Sequence, residues 1–169
     1  MHTVYIVRRK SFLLIAAFAT LLTFMLAACG TNTGAGTGST PPSAPTAVQG
    51  YGTSNGCPSD VVVKTAPAAP NVTVKSTDNS ATINAHIGNV IEVDLPFGIV
   101  WTGPTTSQGV LQLQTPAGYA WKASKMCIWR FVAQGTGTSQ VTFYGRAMCK
   151  KGQLCPQYIT RVPFTFSVK

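Results

Sequence analysis

Apolar and polar residues alternate in short runs from residue 57 to the C-terminus, and this pattern predicts β-strands. In the segment 90–95, three aliphatic side chains alternate with Glu92 and Asp94. We therefore expect a half-buried strand whose two carboxylates face solvent. The same alternation occurs in 110–114 and in 162–168. No stretch of comparable length has the spacing of an amphipathic helix.

Other apolar runs, separated by Gly, Pro and Asn, raise the number of predicted strands to eight or nine. They cover residues 60–64, 72–75, 81–84, 99–102, 127–131 and 141–143. We expect the turn at 134–137 to join the last two runs as a hairpin. Many short strands at this spacing indicate an all-β domain, and we predict an immunoglobulin-like antiparallel β-sandwich. A small β-barrel is the alternative.

The N-terminal residues predict export. Arg8, Arg9 and Lys10 precede an uncharged apolar run over 11–28, as in the first two regions of a signal peptide. The run approaches the roughly 20 residues of a transmembrane helix. It ends, however, in Leu-Ala-Ala-Cys-Gly, which resembles the lipobox of bacterial lipoproteins. That resemblance implies cleavage after residue 28, lipidation of Cys29, and an extracytoplasmic protein anchored to the bacterial cell membrane.

The segment 30–56 contains no charged residue and consists mainly of Gly, Thr, Ser, Ala and Pro. Such a composition buries too little apolar surface to fold, so we predict that 29–56 is a lipidated flexible tether and that 57–169 is the domain. Without residues 1–28 the chain has ten Lys and Arg against four acidic residues, a net charge of +6. These cations are scattered apart from Lys150 and Lys151, so we expect no nucleic-acid partner.

Four cysteines remain once Cys29 is lipidated, and disulfides are expected in an oxidising compartment. Three pairings are possible. The short segment between Cys149 and Cys155 favours a bond between these two, which leaves Cys57 to pair with Cys127. The other two pairings stay open.

The sequence contains no set of residues typical of an enzyme or a metal site. His86 is the only histidine after residue 28, it lies in a predicted turn, and no Cys-x-x-Cys pair is present. We expect no catalytic activity, metal or cofactor. Among the tryptophans, Trp101 and Trp129 lie in apolar strands and are predicted to be core residues. The neighbours of Trp121 indicate a loop with two nearby cations, so Trp121 is predicted to be an exposed aromatic residue of a binding loop; they are Ala120, Lys122, Ala123, Ser124 and Lys125.

Residues 72–168 resemble the chagasin-type inhibitors of papain-like cysteine peptidases. The similar segments are Gly88–Pro96, Gly98–Trp101, Trp129–Ala133 and Phe164–Val168. The resemblance implies an immunoglobulin-like fold in which three neighbouring loops at one end of the sandwich enter the peptidase cleft. Gly98, Gly118 and Arg146 match positions of the family's loop motifs. The predicted partner-binding residues are Pro96, Phe97 and Gly98 in the first loop, Gly118 and Trp121 in the second, and Arg146, Met148, Lys150 and Lys151 in the third.

The sequence thus predicts a membrane-tethered extracytoplasmic binding domain that inhibits papain-like cysteine peptidases by inserting loops into their cleft. Its partners would be a protein and, through the lipid on Cys29, the membrane. The alternative is a cell-envelope adhesion or assembly module that binds a protein or a glycan and has no inhibitory activity.

Overall fold

A computed structural model of the protein describes residues 44–65, 67–106 and 109–169. The predicted signal peptide, Cys29 and most of the predicted tether lie outside these residues. Within the described part of the chain, no helix is both long and apolar enough to cross a membrane.

The described residues form eleven strands and two short helices. The strands are β1 (Thr46–Ala47), β2 (Val61–Val63), β3 (Val72–Lys75), β4 (Thr82–Ala85), β5 (Val90–Pro96), β6 (Ile99–Thr106), β7 (Leu111–Leu113), β8 (Tyr119–Trp121), β9 (Met126–Ala133), β10 (Gly137–Ala147) and β11 (Ile159–Val168). The helices are α1 (Tyr51–Ser54) and a 3-10 helix at Ser76–Asp78. The expected all-β class is confirmed.

The strands form two open sheets that pack as a sandwich. The larger sheet has the order β1-β2-β8-β9-β5-β3, with β7 also paired to β9, and the smaller sheet has the order β4-β11-β10-β6. Strand pairs β2–β8, β3–β5 and β4–β11 are parallel, and the others are antiparallel. The sheets are therefore mixed, whereas the sequence predicts purely antiparallel ones.

The core consists of the alternating apolar side chains that each sheet directs at the other. Trp129 of β9 contacts Phe143 of β10 with ring centroids 4.9 Å apart, and Phe143 contacts Phe164 of β11 at 6.2 Å. The disulfide between Cys57 and Cys127 is also buried here, and it ties the start of the predicted domain to β9. Aromatic packing holds the two sheets together, and the disulfide fixes the segment that precedes β2 on β9.

The predicted hairpin at 134–137 is wrong. β9 pairs with β5, β7 and β8, whereas β10 pairs with β6 and β11, so the connection carries the chain from the larger sheet to the smaller one. Both strands have a buried apolar face, and either arrangement satisfies their alternation. Local sequence therefore could not distinguish a hairpin from a crossing between sheets.

The folded part begins before Cys57, earlier than the sequence predicts. β1 pairs with β2, and the Asp60 carboxylate accepts hydrogen bonds from the backbone amides of Gly50 and Thr53, each at 2.9 Å. These bonds lower the pKa of Asp60. Gly52 of α1 is buried, and a Cβ at this position would lie 1.8 Å from the carbonyl oxygen of Ser59. Close backbone packing thus fixes α1 on the segment that precedes β2.

Candidate functional site

Three connections lie together at one end of the sandwich, which we call the loop end. They are the β5–β6 turn at 96–98, the β8–β9 turn at 122–125 and the loop at 148–158 between β10 and β11. The amide of Phe97 donates a hydrogen bond of 3.2 Å to the carbonyl of Lys125. Ala147, which precedes the third connection, pairs with Ile99, which follows the first. The β5–β6 turn is thus the centre of the loop end.

Helix α1 supports this turn from the other side. The amide of Gly98 donates to the carbonyl of Asn55 at 3.1 Å, and the amide of Trp101 donates to the carbonyl of Gly56 at 2.9 Å. The ring of Tyr51 packs edge-on against the ring of Phe97, with 6.4 Å between their centroids. Sequence analysis missed this contribution because it counted 44–56 as tether. The aromatic Tyr51 in an otherwise small and polar segment was the one signal that could have revealed it.

The third connection is closed by the disulfide between Cys149 and Cys155, the pairing that the sequence favours. Lys150 and Lys151 are exposed, and Met148 is half-buried. Leu154 is 103% exposed, the largest value among the exposed apolar side chains of the described residues. A short closed loop thus presents an aliphatic side chain and two ammonium groups to solvent.

The loop end is positively charged. It contains Lys122, Lys125, Arg146, Lys150 and Lys151, which are five of the ten cations after residue 28. In the described ranges the salt bridge formed is that between Arg130 and Glu92, so none of these five is paired with a carboxylate. Lys122 instead lies over the ring of Tyr51, with its Nζ 5.6 Å from the ring centroid. Five cations that lack a carboxylate partner favour the binding of a protein with an acidic surface.

Trp121 does not have the exposed loop position that its polar neighbours predict. It is the last residue of β8, pairs with Met126 of β9 and is half-buried. Its indole packs on an apolar cluster formed by Val63, Tyr119 and Ile128 on the outer face of the larger sheet. The exposed turn begins only at Lys122. Because Trp101 and Trp129 are buried as predicted, the three tryptophans form no exposed platform for a sugar.

Gly118 does not belong to the loop end. It is buried between β7 and β8, with a φ of 64°. A Cβ at this position would lie 2.4 Å from the ring of Pro58 and 3.1 Å from the indole of Trp129. The glycine therefore permits close packing inside the sandwich, and the prediction that it contacts a partner is wrong. Pro96, Phe97, Gly98 and Arg146 do lie at the loop end.

The two carboxylates of β5 are buried, in contrast to the prediction. Glu92 is 3% exposed and Asp94 is 8% exposed. Both face away from the core, but the segment that connects β2 to β3 crosses this outer face, and Arg130 donates a hydrogen bond to the carbonyl of Ala68 in it. The alternation of β5 is as predicted. A non-local crossing segment, which no pattern in 90–95 reveals, removes its polar face from water.

Glu92 and Asp94 have different environments. Glu92 accepts a hydrogen bond of 2.7 Å from Nε of Arg130, whereas one carboxylate oxygen of Asp94 has no hydrogen-bond partner. Burial, with the nearby charge of Glu92, raises the pKa of Asp94 to about 6 although Lys75 and Arg130 oppose the shift. Burial also raises the pKa of the neighbouring Tyr119 to about 12. Asp94 therefore carries an uncompensated cost when it is ionised.

We predict that Asp94→Asn stabilises the protein at pH 7 by about 1 to 3 kcal/mol. Since the pKa is about 6 in the folded state and about 3.8 in the unfolded state, folding takes up a proton between these values. The wild type should lose stability as pH rises from 4 to 6 relative to the variant, and the difference should vanish near pH 3.5. Urea unfolding at several pH values measures it. A constant difference across this range would contradict the assignment.

The remaining titratable groups form no reactive cluster in the part of the chain that the structure describes. His86 is exposed in the β4–β5 turn, where its backbone amide donates to the side chain of Asn89 at 3.0 Å. The described residues contain no group of three His, Cys, Asp or Glu side chains that could hold a metal ion.

The structure is similar to several solved structures, two of which follow. One is the crystal structure of the cysteine protease inhibitor EhICP2 from Entamoeba histolytica, with a TM-score of 0.43 and 13% sequence identity over 60% of this chain and 100% of that one. The other is the solution structure of amebosin, with a TM-score of 0.34 and 12% identity over the same shares. No family model matches the sequence, and no curated protein matches it.

Proposed function

We propose that this protein is an extracytoplasmic inhibitor of papain-like cysteine peptidases and that its loop end enters the peptidase cleft. The observation that carries the proposal is the convergence of the turns 96–98 and 122–125 and the loop 148–158 at one end of the sandwich. Three adjacent connections on a rigid β-scaffold form a projecting edge that fits a cleft.

The preorganisation of the loop end explains how it would block a peptidase without being cleaved. The β5–β6 turn is held by hydrogen bonds to Lys125 and Asn55, and the third loop is closed by the Cys149–Cys155 disulfide. Segments that are already fixed lose little conformational entropy when they bind. A fixed segment also resists the extended conformation that a peptidase requires of its substrate, so the cleft would be filled without a peptide bond in position for attack.

We further propose that the lipid on Cys29 tethers the domain to the outer side of the cell membrane, as the lipobox-like junction suggests. A tether would keep the inhibitor at the cell surface, where it meets peptidases from outside. Cys29→Ser should abolish the incorporation of labelled palmitate into the protein in expressing cells. Labelling of that variant equal to that of the wild type would contradict lipidation of Cys29.

The inhibitory activity is tested by titrating a papain-like peptidase with the purified full-length chain and following hydrolysis of a fluorogenic peptide. We expect residual activity to fall with inhibitor concentration, with no loss of intact inhibitor in mass spectra. An unchanged hydrolysis rate at micromolar inhibitor would contradict the proposal. Progressive cleavage of the loop 148–158 would contradict the mechanism.

Leu154 provides a sharper test with a matched control. Burying a leucine side chain contributes about 1.5 to 3 kcal/mol, so Leu154→Ser should weaken inhibition about 10- to 100-fold if the side chain enters the cleft. Ile87 is 55% exposed in the β4–β5 turn at the opposite end of β5. Ile87→Ser makes the same kind of change there and should leave the inhibition constant unchanged. Equal effects of the two variants would show that the loop end is not the contact surface.

A further inference from the structure

A groove lies within the loop end, between the disulfide-closed loop and strands β10 and β11. Its volume is about 330 Å³, which accommodates a few side chains of a peptide. The lining contains Arg146, the bonded Cys155, and the segment 156–159 with Tyr158 and Ile159. We propose that this groove binds an extended acidic segment of a protein partner, which has carboxylates for Arg146 and apolar side chains for Tyr158 and Ile159. This inference rests on the proposed function in one respect: the protein partner that carries the acidic segment would be the inhibited peptidase.

The cationic side of the groove lacks an internal partner. The guanidinium of Arg146 is exposed and makes no salt bridge or hydrogen bond with any residue of the described ranges. Arg161, two residues after Ile159 on β11, is also exposed and makes no salt bridge within the described residues. The four acidic residues of the protein are occupied elsewhere: Asp60 binds α1, Asp78 caps the 3-10 helix, and Glu92 and Asp94 are buried in the other sheet. A guanidinium group that has no carboxylate partner within the protein is suited to bind a carboxylate of another molecule through two parallel hydrogen bonds.

The apolar side of the groove is unusually exposed. Tyr158 is 58% exposed and Ile159 is 62% exposed. Register places Val100, Arg146 and Ile159 side by side on β6, β10 and β11, and Val100 is 44% exposed. Apolar and aromatic side chains next to arginine are the combination that recurs at the centre of protein interfaces.

Charge complementarity selects an acidic protein segment over the other occupants. A second copy of the chain that docked the same patch on itself would place Arg146 and Arg161 opposite the same cations, and no acidic residue lies there to compensate. An anionic membrane would satisfy the charge, but Tyr158 and Ile159 line the groove together with Arg146, and a lipid surface contacts projecting side chains and not the inside of a groove. An extended acidic segment can both lie in the groove and pair with the arginines.

The probe for this site is the acetylated peptide Glu-Leu-Glu-Phe-Glu, titrated into the full-length chain by calorimetry, with Gln-Leu-Gln-Phe-Gln as the uncharged control. We expect the acidic peptide alone to bind. Arg146→Ala should weaken its binding about 10- to 100-fold, as loss of a charge-assisted hydrogen-bond pair implies, and Arg146→Lys should weaken it less. Lys64→Ala removes one positive charge from an exposed site outside the groove and should have no more than a small effect.

Other outcomes overturn the inference. In calorimetry, equal binding of the two peptides, no binding of either, or binding that is insensitive to Arg146→Ala would contradict it. Arg146-dependent binding to phosphatidylglycerol over phosphatidylcholine vesicles, in place of peptide binding, would identify a membrane site instead. Arg146-dependent self-association in sedimentation would identify a contact between copies of the chain. The peptide assay is independent of peptidase inhibition. Peptide binding without inhibition would support the groove as a peptide site and contradict the proposed inhibition. Inhibition without peptide binding would support the proposed function and contradict the peptide site.

Discussion

Replacing both Cys57 and Cys127 by alanine should lower the free energy of unfolding by about 4 kcal/mol. The bond joins residues 70 positions apart, so its loss releases a long loop in the unfolded chain. It is also fully buried between the first residues of the predicted domain and β9, and alanine avoids placing a hydroxyl group there. Urea unfolding of the oxidised wild type and the double variant measures the difference.

The Cys149–Cys155 bond supplies the matched control for this experiment. It spans only 6 positions, so the same relation gives about 2 kcal/mol for the corresponding double alanine variant. The losses should therefore be unequal, with the larger one at the buried bond. Equal losses, or a larger loss at the exposed loop, would contradict the assignment of Cys57–Cys127 as the main covalent support of the core.

Glu92→Gln should destabilise the protein by about 3 to 5 kcal/mol, the usual cost of removing one partner of a buried ion pair. Its carboxylate lies 2.7 Å from Nε of Arg130, and the side chains of the two residues are only 5% and 12% exposed. The amide oxygen of the glutamine can still accept a hydrogen bond, but the buried guanidinium loses the carboxylate that balances its charge. Thermal and urea unfolding at pH 7 give the magnitude.

Two comparisons separate this effect from general damage to β5. Asp94→Asn is the same change of carboxylate to amide two residues along the strand, and it should stabilise the protein. Glu92→Gln combined with Arg130→Met removes both charges and should recover most of the lost stability. Destabilisation by both single variants, or no recovery in the double variant, would contradict the roles assigned to the two carboxylates.

The alternation of side chains was sufficient to predict the strands that form the core. In β5, β9 and β11 every second residue is buried between the sheets, as the sequence indicates. The partners of these strands were less predictable, since β9 and β10 have the pattern of a hairpin and belong to different sheets. Pairing is decided by contacts across the whole domain, to which a local pattern is insensitive.

The candidate site was predicted in part. Pro96 to Gly98 and Arg146 lie at the loop end as expected, whereas Gly118 packs against Pro58 and Trp121 ends a strand. In both failures the local composition resembled a loop while a distant segment supplied the packing. The contribution of Tyr51 was missed for the opposite reason, because its surroundings are small and polar but α1 is fixed through Asp60 and Phe97.

The most direct test of the loop end is chemical-shift mapping of the 15N-labelled chain with a papain-like peptidase whose catalytic cysteine is replaced by serine. We predict that amides of 96–98, 122–125 and 148–159 shift or broaden, while those of the turns 86–89 and 134–136 at the opposite end do not. Perturbation confined to those opposite turns, or none at any amide at micromolar peptidase, would contradict the proposal that the loop end binds the cleft.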